Sequence, residues 1–580
     1  MQARKDRECT RLKAVVWKNF SFLYRGEADD ALHDINLAIE PGQFVAVVGA
    51  SGAGKSTLSF TLNGLIPHFQ KGRLTGTVTV FGKDVQQKKV NDMAQDVGLV
   101  FQDFESQLFS TNVKLEVAFG PENFELPWQE IDERVKAWLQ NVGLEEFQDR
   151  DPSSLSGGQK QRLAIASVLA LKPKLLSLDE PTTDLDPEGK DHIFRIAHQL
   201  KRETDMTIIM AEHETERIMG AADRVVVLDR GQIVMDGTPA DVFSQTEQLR
   251  QWGIAPLQGV ELLEEIGAPL PEQLTEEHLL EALDQAAPRI DEAQYKKLLD
   301  GDSAYVQSLG EPLVEVKELT HVYSGAPPGT PPAVDRVSLD IQKGDFVAVL
   351  GQNGSGKTTL VKHFNGLLKP TAGTVSFRKK TTEDTSIYEL GQHIGYVFQN
   401  PDHQIFAETV FDEVAFGCRM QRLPEEELNV RVADALEAVS LSGYEERDPF
   451  SLTKGERQRV AVASVLSLKP EVLIFDEPTT GLDYRQQRSM MGLIQKLNEE
   501  GHTVIMVTHQ MDIVAEYAKR VIVMKDGKLL LQGRTREVFA QEDVLKQAHL
   551  DVPFVTRWSN RLQKTLLSVA EAKRVFVKEA

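Results

Sequence analysis

A fourteen-residue run occurs twice in this 580-residue chain, and it constrains the fold more than any other feature. Phe44-Val-Ala-Val-Val-Gly-Ala-Ser-Gly-Ala-Gly-Lys-Ser-Thr57 returns as Phe346-Val-Ala-Val-Leu-Gly-Gln-Asn-Gly-Ser-Gly-Lys-Thr-Thr359. Each copy is an apolar run that ends in Gly-x4-Gly-Lys-Ser/Thr and opens into a helical pattern, the setting in which such a loop wraps phosphate. Glycine lets successive amides turn inward, and the helix N-terminus adds partial positive charge. Lysine bridges terminal phosphates, and the hydroxyl holds Mg2+. The candidate contacts are Gly49, Ala50, Ser51, Gly52, Ala53, Gly54, Lys55, Ser56 and Thr57 in one copy. In the other they are Gly351, Gln352, Asn353, Gly354, Ser355, Gly356, Lys357, Thr358 and Thr359.

The repetition extends beyond the loop. Leu178-Asp-Glu-Pro-Thr-Thr183 recurs as Phe475-Asp-Glu-Pro-Thr-Thr480, and the offset stays near 300 throughout: 302 between the lysines, 297 between Asp179 and Asp476, 296 between His213 and His509. A near-constant offset of that size means duplicated whole domains, far longer than a solenoid period. Short β-branched runs alternate with helical patterns in each half, which predicts an α/β fold with a mainly parallel core sheet. Hairpins close each half at Arg224–Gly231 and Arg520–Gly527, where Asp526-Gly527 is a type I′ signal. Two acids follow a buried-strand run in each half. Asp179 and Asp476 are expected in the Mg2+ shell, and Glu180 and Glu477 are expected to polarise the attacking water. The expected domains are an N-terminal extension at 1–11, repeat one at 12–255, an acidic helical appendage and linker at 256–310, repeat two at 311–550, and a helical tail at 551–580.

Charge and composition exclude several roles. With 65 basic against 87 acidic residues the net charge is −22, which opposes nonspecific nucleic-acid binding. Two cysteines, Cys9 and Cys418, cannot build a disulfide framework, zinc knuckle or iron–sulfur site. The polar, basic start lacks a signal-peptide core, and no stretch approaches the ~18 apolar residues of a membrane span. The chain is therefore expected to be soluble and to serve any membrane process from the cytoplasmic side.

Leu155-Ser-Gly-Gly-Gln159 resembles the signature of ATP-binding-cassette (ABC) proteins, 22 residues before Asp179. The resemblance covers roughly 12–255 and 311–550, and its remaining motifs stand in order. It implies two P-loop cassettes, each with an antiparallel β part and a helical signature subdomain, that hydrolyse ATP with Mg2+. It implies Q-loop roles for Gln102 and Gln399 at the metal and the attacking water, D-loop roles for Asp186 and Asp483, and γ-phosphate switch roles for His213 and His509. Ser156, Gly157, Gly158 and Gln159, and in the second half Thr453, Lys454, Gly455 and Glu456, would meet the ATP held by the opposite cassette. Tyr24 and Tyr323 would stack on adenine, with Phe22 or Phe20 as alternatives in the first half.

What is attached to the cassettes narrows the class. The 257–310 segment carries twelve acids against three bases, unlike the basic arm of translation-associated tandem ATPases. Gln102-Asp-Phe-Glu-Ser-Gln-Leu-Phe109 with Glu116-Val-Ala-Phe-Gly120, and Gln399-Asn-Pro-Asp-His-Gln-Ile-Phe406 with Glu413-Val-Ala-Phe-Gly417, resemble the ATPases of energy-coupling-factor (ECF) importers. That resemblance implies a transmembrane coupling protein and a substrate-binding membrane protein as partners, at the cytoplasmic face of the cell membrane. The cargo would be a vitamin, a vitamin precursor of the hydroxymethylpyrimidine type, or next a metal of the cobalt type. Asp103, Glu105, Asp402 and Asp412 are expected to flank the docking grooves. The alternative is a soluble tandem ATPase acting on ribosomes or DNA.

The halves differ chemically at the signature. ATP on Lys357, Glu477 and His509 would meet the intact Leu-Ser-Gly-Gly-Gln, and ATP on Lys55, Glu180 and His213 the altered Leu-Thr-Lys-Gly-Glu. Lys454 restricts backbone where glycine usually sits, and Glu456 places negative charge near an anion site. We therefore expect two working but unequal sites, the Lys357 site faster; a barrier difference of about 1.4 kcal/mol would make the ratio roughly tenfold. With the membrane partner present, Glu477→Gln should cost more steady-state turnover than Glu180→Gln, and a larger loss from Glu180→Gln would reverse the ranking.

Overall fold

The computed structural model describes residues 12–183, 185–325 and 329–577. Cys9 lies outside these residues, and Cys418 is a buried free thiol. The chain divides into two compact units: one runs to Glu261 and takes in Pro269–Ala282, and the other comprises Leu262–Ala268 and the chain from Leu283 onward.

Each unit is built on a six-stranded sheet. In the first, the order is Gln232–Gly237, Arg224–Asp229, Phe44–Val48, Thr207–Ala211, Leu175–Asp179, Val97–Val100. In the second it is Ile394–Val397, Val472–Asp476, Thr503–Val507, Phe346–Leu350, Arg520–Lys525, Lys528–Arg534. All neighbours run parallel except the closing hairpins. Both hairpin turns place two successive residues at positive φ, Arg230 and Gly231 (46° and 76°) and Asp526 and Gly527 (49° and 76°). That is the I′ geometry matching strand twist.

The reason for the unbroken apolar runs is burial on both faces. In the second unit Val347, Val349, Ile474 and Ile505 face a layer that includes Val314, Val316 and Phe364. The alternate residues Phe346, Ala348, Phe475 and Met506 face helices through Val414, Val462 and Ile494. In the first unit Val45, Val47, Ile209 and Val226 pack with Trp17, Phe20 and Phe22. The covering layer is a four-stranded antiparallel sheet in each unit, Leu32–Ile39, Val15–Tyr24, Gly72–Val80, Lys83–Asp84 in the first and its counterpart around Pro312–His321 in the second. A three-helix group completes each unit: Val113–Asn123, Trp128–Asn141 and Gly157–Leu169, then Val410–Met420, Glu425–Ala438 and Lys454–Leu466.

The unit boundary falls inside the acidic 256–310 segment, which forms helices Gln258–Glu265, Glu276–Ala286 and Glu292–Ser308. The last of these is fastened to the second unit. The Tyr305 hydroxyl donates to the Gly344 carbonyl (3.2 Å) and accepts from the Phe346 amide (2.8 Å), closing the backbone groups at the start of the strand that carries the second P-loop. Ile290 bridges to Phe576 in the tail. Arg536, its side chain 6% exposed, ties the arrangement together by pairing with Asp302 (2.6 Å) and Glu571 (2.7 Å) and donating to the Thr565 carbonyl (2.6 Å). Arg536→Ala would leave both acids without their cation, a loss of about 3 kcal/mol. Amide exchange in Glu292–Ser308 and Val569–Val575 should accelerate accordingly, with the Phe44–Val48 strand of the first unit unaffected.

Candidate functional site

Both phosphate-loop patterns form the same cradle at the end of the central strand. Gly54 and Gly356 stand at φ 105° and 99°, and a Cβ there would lie 2.7 Å from the Ala31 carbonyl oxygen or 2.3 Å from that of Ala333. Only glycine fits at those two positions. The lysines curl back over their own loops: Lys55 Nζ donates to the carbonyls of Gly49 (3.0 Å) and Ala50 (3.1 Å), Lys357 Nζ to those of Gly351 (2.8 Å) and Gln352 (2.9 Å). Ala53 and Ser355 are buried inside the loops, while Ser51, Gly52, Asn353 and Gly354 form exposed tips.

The paired acids stand at the end of a strand two places away in the same sheet, where the backbone turns at a positive φ on Glu180 (47°) and Glu477 (49°). In the first unit Glu180 is surrounded by donors: Gln102 Nε2 at 2.8 Å, His213 Nε2 at 2.8 Å and Lys55 Nζ at 3.2 Å. Burial pushes the Glu180 carboxyl up, but the hydrogen bond and charge of His213 together with Lys55 override it and hold the group down at about 2. Asp179 goes the other way: burial, joined by the charge of Glu180, raises it to about 6. The second unit repeats the split in direction. Burial raises Asp476, whereas His509 and Lys357 lower Glu477 against its own burial. There Glu477 is held by His509 Nδ1 (3.2 Å) and by the Thr480 hydroxyl (2.9 Å), while Gln399 stands exposed.

Each site therefore keeps one carboxylate ionised and fixed, the state required of a group that orients water. Beside it lies an aspartate whose charge wants a cation. The donor set suits Mg2+, which takes hard oxygen ligands. Asp179 Oδ1 is buried with no hydrogen-bond partner, and Asp476 Oδ1 lies 3.3 Å from the Thr358 hydroxyl. With Ser56 or Thr358 and one aspartate per site, the protein offers few ligands, so nucleotide phosphates and water would complete the shell.

The signature residues begin the helices Gly157–Leu169 and Lys454–Leu466. Ser156 and Thr453 cap them in matching capping boxes: the Ser156 amide donates to Gln159 Oε1 (2.9 Å), and the Thr453 amide donates to Glu456 Oε2 (2.9 Å). Glu456 also accepts from the hydroxyls of Thr453 (2.7 Å) and Tyr444 (3.1 Å). The carboxylate thus does the capping work that Gln159 does in the first unit, and these hydrogen bonds favour its ionised form beside Thr453. Lys454 folds over Gly481, where an added Cβ would meet its Nζ at 2.3 Å. Asp186 and Asp483 are N-caps, accepting from the amides of Gly189 (2.9 Å) and Gln486 (2.8 Å).

The ABC transporter family profile matches residues 32–183 and 334–480, each span running from the antiparallel sheet through the paired acids. The chain belongs to the ABC transporter family. A relative named as an ABC transporter ATP-binding protein, from Caldanaerobacter subterraneus subsp. tengcongensis, is 50% identical over 96% of this chain and 98% of its own length. Another of that name from Methanosarcina mazei is 40% identical over 96% of each chain. Among solved structures, cbiO1 of Clostridium perfringens, part of the ABC transporter complex cbiONQ, is 38% identical over 44% of this chain and 99% of its own, with a TM-score of 0.38. This ABC protein is an ATP-hydrolysing enzyme with two cassettes in one chain.

Around the cassettes' nucleotide sites, the structure separates the aromatic candidates. Tyr24 is half-buried with its hydroxyl 3.2 Å from Thr57 Oγ1, and Tyr323 is 49% exposed with its hydroxyl 2.9 Å from Thr359 Oγ1. Phe20 and Phe22 are fully buried in the core, so neither has a face free for a base. Sequence reasoning missed the Thr480–Glu477 bond and the Tyr396 hydroxyl 2.6 Å from Asp476 Oδ2. The signal was present as one polar substitution in an otherwise apolar strand, Val97-Gly-Leu-Val100 against Ile394-Gly-Tyr-Val397. Tyr24→Ala should weaken ADP binding at the first cassette by roughly tenfold, in the range of base–aromatic stacking, with a smaller loss of stability than removal of the fully buried Phe22 ring. Phe22→Ala should instead cost about 3–5 kcal/mol of stability. Calorimetric titration paired with denaturation distinguishes the two.

Proposed function

We propose that this chain is the energy-coupling ATPase of an ECF-type importer, driving uptake of a vitamin, vitamin precursor or metal through a membrane partner at the cytoplasmic face. The observation that carries this reading is a pair of exposed aromatic contacts at equivalent places in the two repeats. Phe109 (62% exposed) meets Phe119 (45%) edge-on at 4.5 Å, and Phe406 (60%) meets Phe416 (45%) at 4.8 Å. Large apolar groups left uncovered in the same position twice mark a docking surface. Each pair joins the segment after the Q-loop glutamine to the helix at Val113 or Val410, the runs that resemble the ECF group.

The neighbouring acids support the same surface in a different way from that expected. Glu105 pairs with Lys160 (2.9 Å), Asp402 with Arg457 (2.7 Å) and Asp412 with Arg419 (2.8 Å). Lys160 and Arg457 lie in the signature helices, so a partner helix pressing on the aromatic pair would pull on the signature through an ion pair. Two ATP sites then follow the family plan, with P-loop, paired acids and switch histidine from one cassette and signature from the other. The net charge of −22 weighs against the ribosome or DNA alternative.

The test is purification from membranes. Wild-type chain should bring down an integral membrane protein and a small substrate-binding membrane protein. Phe109→Asp with Phe406→Asp should reduce that recovery at least tenfold while ATPase activity of the isolated chain stays within about twofold. Co-sedimentation with ribosomes and no membrane partner would overturn the reading.

A further inference from the structure

We infer that Tyr396 is a positioning residue for the metal side of the second cassette's ATP site, a role with no counterpart in the first cassette. The inference rests on the reading of Asp476 as a member of the Mg2+ shell. Tyr396 lies on the strand Ile394–Val397, which runs parallel to Val472–Asp476 with Tyr396 opposite Ile474. The ring is 8% exposed and packs against Phe398 at 4.9 Å, so its direction is set by the core. Its hydroxyl donates to Asp476 Oδ2 at 2.6 Å. The other oxygen, Oδ1, lies 3.3 Å from the Thr358 hydroxyl, the second protein group expected to face the metal.

A carboxylate on a single Cβ–Cγ bond rotates unless one oxygen is pinned. Tyr396 pins Oδ2 and thereby presents Oδ1 toward Thr358. In the first cassette Leu99 occupies the matching place, opposite Ser177, and offers no donor. Asp179 Oδ1 is buried there without a hydrogen-bond partner, and so is the Ser177 hydroxyl. Asp179 has only the hydroxyl of Ser56 beside it, whereas Asp476 has those of both Thr358 and Tyr396, so the acid of the second cassette is held at both oxygens before nucleotide arrives. Hydrogen-bond partners of a metal ligand typically govern ~10–100-fold in metal affinity. The outcome is a second cassette that takes its metal more readily, independent of the signature difference.

The test uses the full chain carrying Lys55→Ala, so that only the second P-loop retains its phosphate lysine. Mn2+ serves as the probe, with saturating ADP to avoid turnover, and its binding is read by electron paramagnetic resonance. Tyr396→Phe removes one hydroxyl and keeps the ring. It should weaken Mn2+ binding about tenfold, leave metal-free ADP affinity within about twofold and leave the melting temperature nearly unchanged. A merely structural tyrosine would move stability and both affinities together, and that result would overturn the inference. Unchanged Mn2+ affinity would overturn it also. Asp476→Asn in the same background separates the two levels. If it abolishes Mn2+ binding while Tyr396→Phe does nothing, only the positioning role fails; if it too does nothing, the metal assignment beneath it fails.

Discussion

The strands Phe44–Val48 and Phe346–Leu350 are buried on both faces and hydrogen-bonded on both edges, so neither can shift without disturbing the layers above and below. Every group at the two sites is referred to that fixed line. The cradle is the turn at the strand's end, and the paired acids end a strand two places away in the same sheet. The switch histidines follow the strand between them. Parallel pairing brings all three strand ends to one edge of the sheet, where ligands of open α/β sheets gather. Within this edge the burial that stabilises the sheet also divides the acids. The glutamate, hydrogen-bonded to histidine and next to lysine, stays charged, and the aspartate is pushed up by its burial and by the charge of that glutamate.

The two cassettes carry out this plan with different means. In the first, Lys55, Gln102 and His213 all converge on Glu180. In the second, Thr480 and His509 hold the glutamate and Tyr396 holds the aspartate. The altered signature keeps the cap of the intact one. A threonine keeps the hydroxyl cap, a glutamate keeps the third position of the capping box, and the lysine finds room over a glycine. What remains as a chemical difference is the backbone freedom and charge at Lys454, the charge of Glu456 in place of Gln159, and the hydrogen bonding of Asp476 against Asp179.

Much of this was legible in the chain itself. Fold class, the duplicated organisation, the phosphate loops and the paired acids follow from spacing and hydrophobic runs, because a Gly-x4-Gly-Lys loop works only between a buried strand and a helix. The I′ turns at Arg230-Gly231 and Asp526-Gly527 are local chemistry as well. Thr453-x-x-Glu456 was readable as a capping box, since the reciprocal bonds span only three residues.

Other features depended on residues far apart meeting. The choice among Phe20, Phe22 and Tyr24 turned on which rings the sheet buries, and alternation along one strand does not say how far the covering layer reaches. Glu105 and Asp402 looked like free acids until the signature helices brought Lys160 and Arg457, 55 residues later in each case, within an ion pair. Tyr396 and Asp476 are 80 residues apart and meet because their strands are neighbours in register. Sequence by itself determined the chemistry available, since residue type and short spacing set what a loop or cap can do. Only the tertiary structure decided which donors reach which acids, because burial and strand order are properties of the packed sheet rather than of any segment in it.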